Sequence, residues 1–275
     1  MHKGDLRKMQ ASADSAGKVS YQMRLGDESI PLDAALGQKV SLAFSGAIHC
    51  IHCGRASKKS FSQGYCYPCF KKLAACDTCI MSPEKCHYHL GTCREPEWAE
   101  QYCMQSHYVY LANTTALKVG ITRGDQLPTR WLDQGATQAR AMFLVDNRRM
   151  SGLVETLFKN EVADKTNWRN MLKGSELELN LEQEQERLIN NLWEGLDALQ
   201  NEFGLQALQE LGNDNQTHEF VYPVLEYPTK ITSINAEKTP TVEGTLMGIK
   251  GQYWMLDTGV INLRKYTGYE VAVTL

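Results

Sequence analysis

The sequence predicts an α+β protein in which cysteine-rich modules lead into a small antiparallel sheet with flanking helices, then a long acidic helix and a β-rich tail. Three observations carry this expectation. Short β-favouring runs punctuated by glycine lie near both ends of the chain and in its middle. Repeated C-x-x-C spacing crowds the first half. One stripe of apolar residues at helical period faces a row of acids.

Composition is ordinary for a globular protein, 43% hydrophobic and 22% charged, and 275 residues leave room for two or three small domains. A formal charge of −3 argues against a surface that is basic throughout, so any contact with nucleic acid must rest on local patches. No apolar run approaches the length of a membrane span, and Met1-His2-Lys3-Gly4-Asp5 has no apolar stretch behind its charges. A cytoplasmic location is therefore expected.

Residues 1–48 read as a β-rich segment, with strands at Val19–Leu25 and Lys39–Phe44 and turns at Gly26-Asp27 and Gly37. Tyr21, Met23 and Leu25 alternate with Ser20, Gln22 and Arg24, as one buried sheet face requires.

Residues 49–106 hold the strongest local signal. The chain has nine cysteines, seven of them between Cys50 and Cys86, and without an export signal such spacing favours metal ligation over disulfides. Cys50-Ile-His-Cys53 and Cys66-Tyr-Pro-Cys69 are two knuckles on a short loop, which can bring four thiolates to one tetrahedral Zn²⁺. Gly54 follows the first knuckle, Gly64 precedes the second, and Phe70–Ala75 reads as helix, an order that resembles a treble-clef or zinc-ribbon module. Every charged residue between Ile48 and Ala75 is basic: Arg55, Lys58, Lys59, Lys71 and Lys72. These could touch phosphate, or could offset the thiolate charge. A second set, Cys76, Cys79, Cys86 and Cys93, is expected to hold a further Zn²⁺, with Cys103, His87 and His89 as alternatives. An iron–sulfur cluster competes for it. A dithiol redox role lacks the surrounding βαβ pattern.

Residues 107–174 form the next unit. Tyr108–Ala112 and Leu117–Thr122 are β-favouring runs around Asn113-Thr114-Thr115, the pattern of a hairpin, and Gly120 leaves space for a close approach. Asp125 and Pro128 then suggest a short helix closing at Gly135, Ala139–Val145 another strand, and Ser151 to Val162 a helix whose apolar face is Leu153, Val154, Leu157, Phe158 and Val162. The stretch from Asp164 to Leu172 carries an Arg and two amides.

The hairpin resembles the opening of the GIY-YIG nuclease superfamily, whose first strand carries Gly-Ile-Tyr and whose second carries Tyr-Ile-Gly. Here those places read Tyr108-Val109-Tyr110 and Lys118-Val119-Gly120. Arg130 in Pro128-Thr129-Arg130-Trp131 matches an Arg on the following helix, Glu155 a Glu on a further helix, and Asn167 or Asn170 the Asn after it. The resemblance covers about residues 108–172 and departs at Tyr108, which replaces the first Gly, and at Lys118, which replaces the second Tyr. It implies phosphodiester hydrolysis, with Tyr110 (or its neighbour Tyr108) as base or water positioner and Arg130 on the phosphate. Glu155 would hold a single Mg²⁺, which keeps most of its own waters. Lys118 would supply a cation where the family has a phenol, and Asn167 or Asn170 would tether the Glu-bearing helix or contact the site. The whole chain also resembles a bacterial family of unknown function, which supplies no activity.

Residues 175–212, from Glu176 to Leu211, read as an amphipathic helix that can break near Gly204. Leu188, Ile189, Leu192, Leu196, Leu199 and Phe203 form its stripe; its acids make a solvated face, or a docking surface for a protein partner. Residues 218–275 are a β-rich tail, with strands at Phe220–Leu225, Val242–Ile249, Tyr253–Leu256, Val260–Leu263 and Tyr269–Leu275, expected to pack with residues 1–48. The functional expectation is a zinc-containing nucleic-acid-binding protein that is either a Mg²⁺-dependent nuclease or a non-catalytic binding or assembly module using the zinc knuckles. Iron–sulfur or redox sensing is the third.

Overall fold

The computed structural model describes residues 1–162, 167–175, 177–212 and 215–275. The front of the chain supplies five strands: β1 (His2–Asp5), β2 (Gln10–Ala13), β3 (Val19–Leu25), β4 (Glu28–Pro31) and β5 (Lys39–Ile48). The cysteine-rich region is built of turns and two short helices, α1 (Tyr67–Lys72) and α2 (Pro96–Tyr102). The central unit runs β6 (His107–Asn113), β7 (Leu117–Arg123), α3 (Thr129–Asp133), β8 (Gln138–Val145), α4 (Arg148–Phe158) and α5 (Trp168–Met171). Next come α6 (Leu181–Phe203), β9 (Leu208–Glu210) and β10 (His218–Glu219), and the tail adds β11 (Thr241–Lys250), β12 (Tyr253–Leu256), β13 (Gly259–Asn262) and β14 (Tyr269–Thr274).

All three sheets are antiparallel. One runs β1-β14-β5-β11-β12-β13 and so joins strands from both ends of the chain; β2-β3-β4 is a small meander; and β10-β8-β6-β7, with β9 also on β8, is the central sheet. The central sheet is covered on both faces. Val109, Leu111 and Val119 pack with Val154 and Phe158 of α4 and Leu188 and Leu196 of α6, while Tyr110 and Ala112 face the other way, into a core shared with Trp131, Leu42, Val242 and Trp254. Burying each such side chain contributes about 1.5–3 kcal/mol before entropy is charged against it. This double burial explains why β6 is apolar at every position from Val109 to Ala112 rather than alternating.

Several elements differ from the sequence expectation for local reasons. Helix α4 begins at Arg148 rather than Ser151 because Asn147 adopts an extended backbone and its side chain accepts from the Met150 amide at 3.0 Å. Helix α6 starts at Leu181, where Asn180 caps the Glu182 and Gln183 amides, and ends at Gly204, whose φ of 94° is open to glycine. Leu208–Glu210, expected as helix, instead pairs with β8, and Glu176 lies outside the described residues, as do residues 163–166 and 213–214. Phe220–Leu225 is not a regular strand: Pro223 lacks an amide proton, and only His218 and Glu219 pair with β8. Helix α1 starts at Tyr67, ahead of Phe70, because Pro68 sits in its first turn, and Ala74–Cys76 forms a separate 3-10 turn. Asp125 lies in a 3-10 turn and does not cap α3, whose N-cap position is Pro128. No described helix is long and apolar enough to cross a membrane.

Gly120 is the tightest point of the hairpin. It pairs with Tyr110, and a Cβ at residue 120 would lie 2.6 Å from the Tyr110 hydroxyl oxygen and Cζ. The Tyr110 ring therefore lies over bare backbone. A Gly120→Ala substitution is expected to lower stability by about 1–3 kcal/mol, read from denaturant unfolding, because a wholly buried ring must shift. Unchanged stability would contradict this packing.

Candidate functional site

Two features of the described residues bear on the sites the sequence predicts. The first is the knuckle pair. The sulfurs of Cys50, Cys53, Cys66 and Cys69 all lie within 4.8 Å of one another, with Cys53 Sγ 3.7 Å from Cys66 Sγ. Cys66 takes the N-cap position of α1 and Cys69 lies within that helix, so helix start and ligand spacing are one feature. Burial works against a charged Cys50, yet the backbone amides of Cys53, Cys66 and His52 aim at its sulfur and lower it to about 6; Cys69 is pushed up by burial and by the neighbouring thiols. Four thiols this close resist ionising together, and a divalent cation removes that conflict. The donor set fits a structural zinc-type ion. Arg55, Lys58, Lys59, Lys71 and Lys72 are exposed around it.

The second feature is a cleft of about 350 Å³ between the central sheet, the cysteine-rich region and the β-rich unit. Arg130 from α3 and Glu155 from α4 both line it, although 24 residues separate them along the chain. Arg123 from β7, Arg148 from α4, Arg264 from the turn after β13 and Lys8 from the N-terminal segment project into the same space. Asp133 is the other carboxylate, and Lys8 Nζ and Gln252 Nε2 both bond to it. Ile80, Met81, Pro83 and Ile121 form an apolar lip, with Met81 85% exposed.

Electrostatics in the cleft favour an anion. Burial lowers Arg148, and the charge of Arg130 adds to that; Arg264 is lowered in the same way, by burial and again by Arg130. Arginines remain charged regardless, so their mutual repulsion is stored in the folded state. Each is fixed from behind: Arg148 Nη2 donates to the Ile80 carbonyl at 2.6 Å, and Arg264 Nε donates to Gln63 Oε1 at 2.6 Å. The Glu155 side chain is only 15% exposed, and its carboxylate meets Lys159 Nζ at 3.3 Å.

Tyr110 lies beneath this floor rather than in it. Its hydroxyl is buried, and with the Gln134 amide oxygen turned toward Arg130, that oxygen accepts from Arg130 Nε at 3.1 Å and from the Tyr110 hydroxyl at 2.9 Å. Burial pushes the phenol above its ordinary range, outweighing the charge of Arg130, so it keeps its proton. Tyr110 thus positions Arg130, and the geometry gives it no role as a base. Tyr108 is half-buried and lies against Gly124; Lys118 is buried opposite Ala112, away from the cleft lining; and Asn167 caps α5 by accepting from the Asn170 amide at 3.2 Å.

The set Cys76, Cys79, Cys86 and Cys93 is not gathered as a four-thiol site among the described residues. Cys76 closes its 3-10 turn toward Ser62 and Cys50, and burial pushes it up to about 11. Cys86 and Cys103 are buried, and Cys93 and His89 stand nearer the surface. No spacing in the sequence links Lys8, Arg123, Arg148 and Arg264; the Asn-Arg-Arg start of α4 is the one local hint.

Comparison with known proteins places the chain. A model of the family described as "Protein of unknown function (DUF2797)" matches residues 37–271. The chain belongs to that family. No curated protein and no solved structure matches it. The DUF2797 match takes in both the cysteine cluster and nearly all of the cleft, leaving only Lys8 outside.

His107 opens β6 fully buried, and burial lowers it from 6.5 to about 4, with Arg148 and Arg123 contributing in the same direction. It is neutral in the folded protein and charges first in the unfolded chain. The unfolded chain therefore binds the extra proton, and stability falls as pH drops from about 6.5 toward about 4. The loss is at most about 3 kcal/mol. His107→Gln is expected to flatten thermal stability between pH 7 and pH 5; an unchanged slope would contradict the assignment.

Proposed function

We propose that the cleft binds and hydrolyses a phosphodiester, making this protein a zinc-containing nuclease of divergent GIY-YIG type. The observation that carries the reading is the convergence of Arg130 and Glu155 on one solvent-open cleft, with Arg123, Arg148 and Arg264 around them. Phosphoryl transfer needs positive charge on the phosphoryl oxygens and little covalent help, which a fixed group of guanidiniums supplies. The apolar lip at Ile80, Met81 and Pro83 suits the sugar and base of a bound nucleotide, so nucleic acid is the favoured substrate class.

Glu155 is the carboxylate available to a Mg²⁺ ion, and the fit is conditional. Glu155 sits beside Lys159 and faces arginines, and Asp133 is already tied to Lys8 and Gln252, so this is a poor site for a dication until substrate phosphate adds its own oxygens. The ion would supply charge neutralisation at the leaving oxygen. Arg130 and Arg148 hold the phosphate, and Tyr110 and Gln134 keep Arg130 aimed. With Tyr110 shut away, water activation falls to groups at the cleft surface.

The burial of Tyr110 and the Lys at position 118 also support a second reading, in which the same cleft binds nucleic acid without cleaving it. Incubating single-stranded and duplex oligonucleotides with the protein and Mg²⁺ separates the two. Cleavage that chelation stops supports the nuclease; salt-sensitive binding with no product supports the binding module; neither binding nor cleavage removes both.

A further inference from the structure

The segment between the cysteine cluster and the central sheet holds another gathering of donor atoms. Asp77 takes the N-cap position of the 3-10 turn Thr78–Ile80, Cys79 lies within that turn, and His87 takes the N-cap position of the turn Tyr88–Leu90. One carboxylate oxygen, one sulfur and one imidazole nitrogen from these residues all lie within 4.8 Å of one another. Oxygen, sulfur and nitrogen donors of these types are those zinc accepts.

Two of the three donors are also oriented from behind. His87 Nδ1 lies 2.8 Å from Thr92 Oγ1, which leaves Nε2 turned toward Asp77, whose Oδ2 is 3.6 Å away. Asp77 is buried; the Thr78 hydroxyl donates to its Oδ1 at 3.1 Å, and Arg94 Nε approaches Oδ2 at 2.7 Å. Metal-binding imidazoles and carboxylates are held in this way, the imidazole through its other ring nitrogen and the carboxylate by hydrogen-bond donors. An ion pair of Asp77 with Arg94 and His87 accounts for two of the contacts but gives the Cys79 sulfur no part.

We propose that Asp77, Cys79 and His87 form a second binding site for a zinc-type divalent ion, separate from the four-cysteine cluster and completed by water. Its place in the fold gives it a task. Residues 77–87 carry the Ile80, Met81 and Pro83 lip of the cleft, and they dock on α4 at Gly152, where a Cβ would lie 2.4 Å from the Glu84 amide nitrogen. The Ile80 carbonyl also holds Arg148. An ion here would close residues 77–87 on themselves and fix the shape of the wall that packs against the helix bearing Glu155.

The test is metal content of the full-length chain purified with zinc, measured by inductively coupled plasma mass spectrometry. The wild type is expected to hold about two zinc ions per chain, and His87→Ala, Cys79→Ser and Cys53→Ser about one each. Should a variant fail to fold, cobalt titration of the metal-stripped wild type decides instead. Two filling phases are expected, one with strong thiolate-to-cobalt absorption and one with the weaker absorption of a single thiolate. One zinc per chain in the wild type, two retained in both His87→Ala and Cys79→Ser, or a single cobalt phase overturns the proposal. The outcome does not depend on whether the cleft cleaves nucleic acid.

Discussion

Arg130→Ala is expected to reduce phosphodiester cleavage by about 10²–10³-fold while leaving the thermal midpoint within a few degrees of the wild type. Arg130 is half-buried at the cleft floor, and its side chain bonds Gln134 rather than spanning the core, so its loss removes charge more than packing. Two further variants sharpen the result. Arg130→Lys keeps the charge but loses the planar fork, and is expected to recover only part of the rate. Glu155→Gln keeps size and hydrogen bonding while removing the one carboxylate available to a metal ion, and is expected to match the alanine loss. If both Arg130→Ala and Glu155→Gln cleave at the wild-type rate, the nuclease reading fails. If the wild type binds oligonucleotide but never cleaves it, and Arg130→Ala weakens that binding, the non-catalytic reading takes its place.

Removing the ion from Cys50, Cys53, Cys66 and Cys69 is expected to have the largest effect on stability. Structural zinc sites contribute on the order of 10 kcal/mol to the folding of the units they close, and even a fraction of that shifts the midpoint of a chain this size by about 10 °C or more. The loop between the knuckles is also tied by the Phe61 ring against Tyr67 and Phe70 and by the Ser60 hydroxyl on the Thr267 carbonyl, but its tip carries backbone strain. Ser62 and Gln63 sit at φ of 44° and 62°, a left-handed backbone that costs non-glycine residues energy, and Gln63 in turn anchors Arg264 in the cleft. Strong chelation is therefore expected to lower the thermal midpoint and also to weaken oligonucleotide binding by releasing Arg264. Cys53→Ser isolates the metal term, because Cys53 is exposed and little packing is lost with its sulfur. A chelated protein with unchanged midpoint and unchanged binding would show that the cluster holds no structural ion.

The parts of this structure legible in the sequence are those where chemistry repeats at short range. Cys50, Cys53, Cys66 and Cys69 announce themselves by spacing, and the β6–β7 hairpin by two β-favouring runs around a polar break. The acidic helix shows by its stripe, although its ends depended on Asn180 and Gly204, which act through single backbone conformations. What long-range contact decides was not legible. Leu208–Glu210 continues the helical pattern but finds an open edge of β8, and a strand forms there instead. Glu155 reads by helical angle as an ordinary solvated acid, yet the docking of α4 against residues 83–85 turns it toward the cleft. Lys8 and Arg264 come from opposite ends of the sequence and meet only because the sheet brings those ends together. The group of Asp77, Cys79 and His87 had no standard spacing to reveal it.

The arginines of the cleft, rather than the basic residues around the knuckles, are expected to handle phosphate. Arginine Nε–Hε signals in a nitrogen-15 NMR spectrum report this directly, recorded while a short, cleavage-resistant phosphorothioate oligonucleotide is added. The signals of Arg130, Arg148 and Arg264 are expected to shift together and saturably, with Arg55 unmoved. Shifts at Arg55 with the three cleft arginines silent would contradict the central claim.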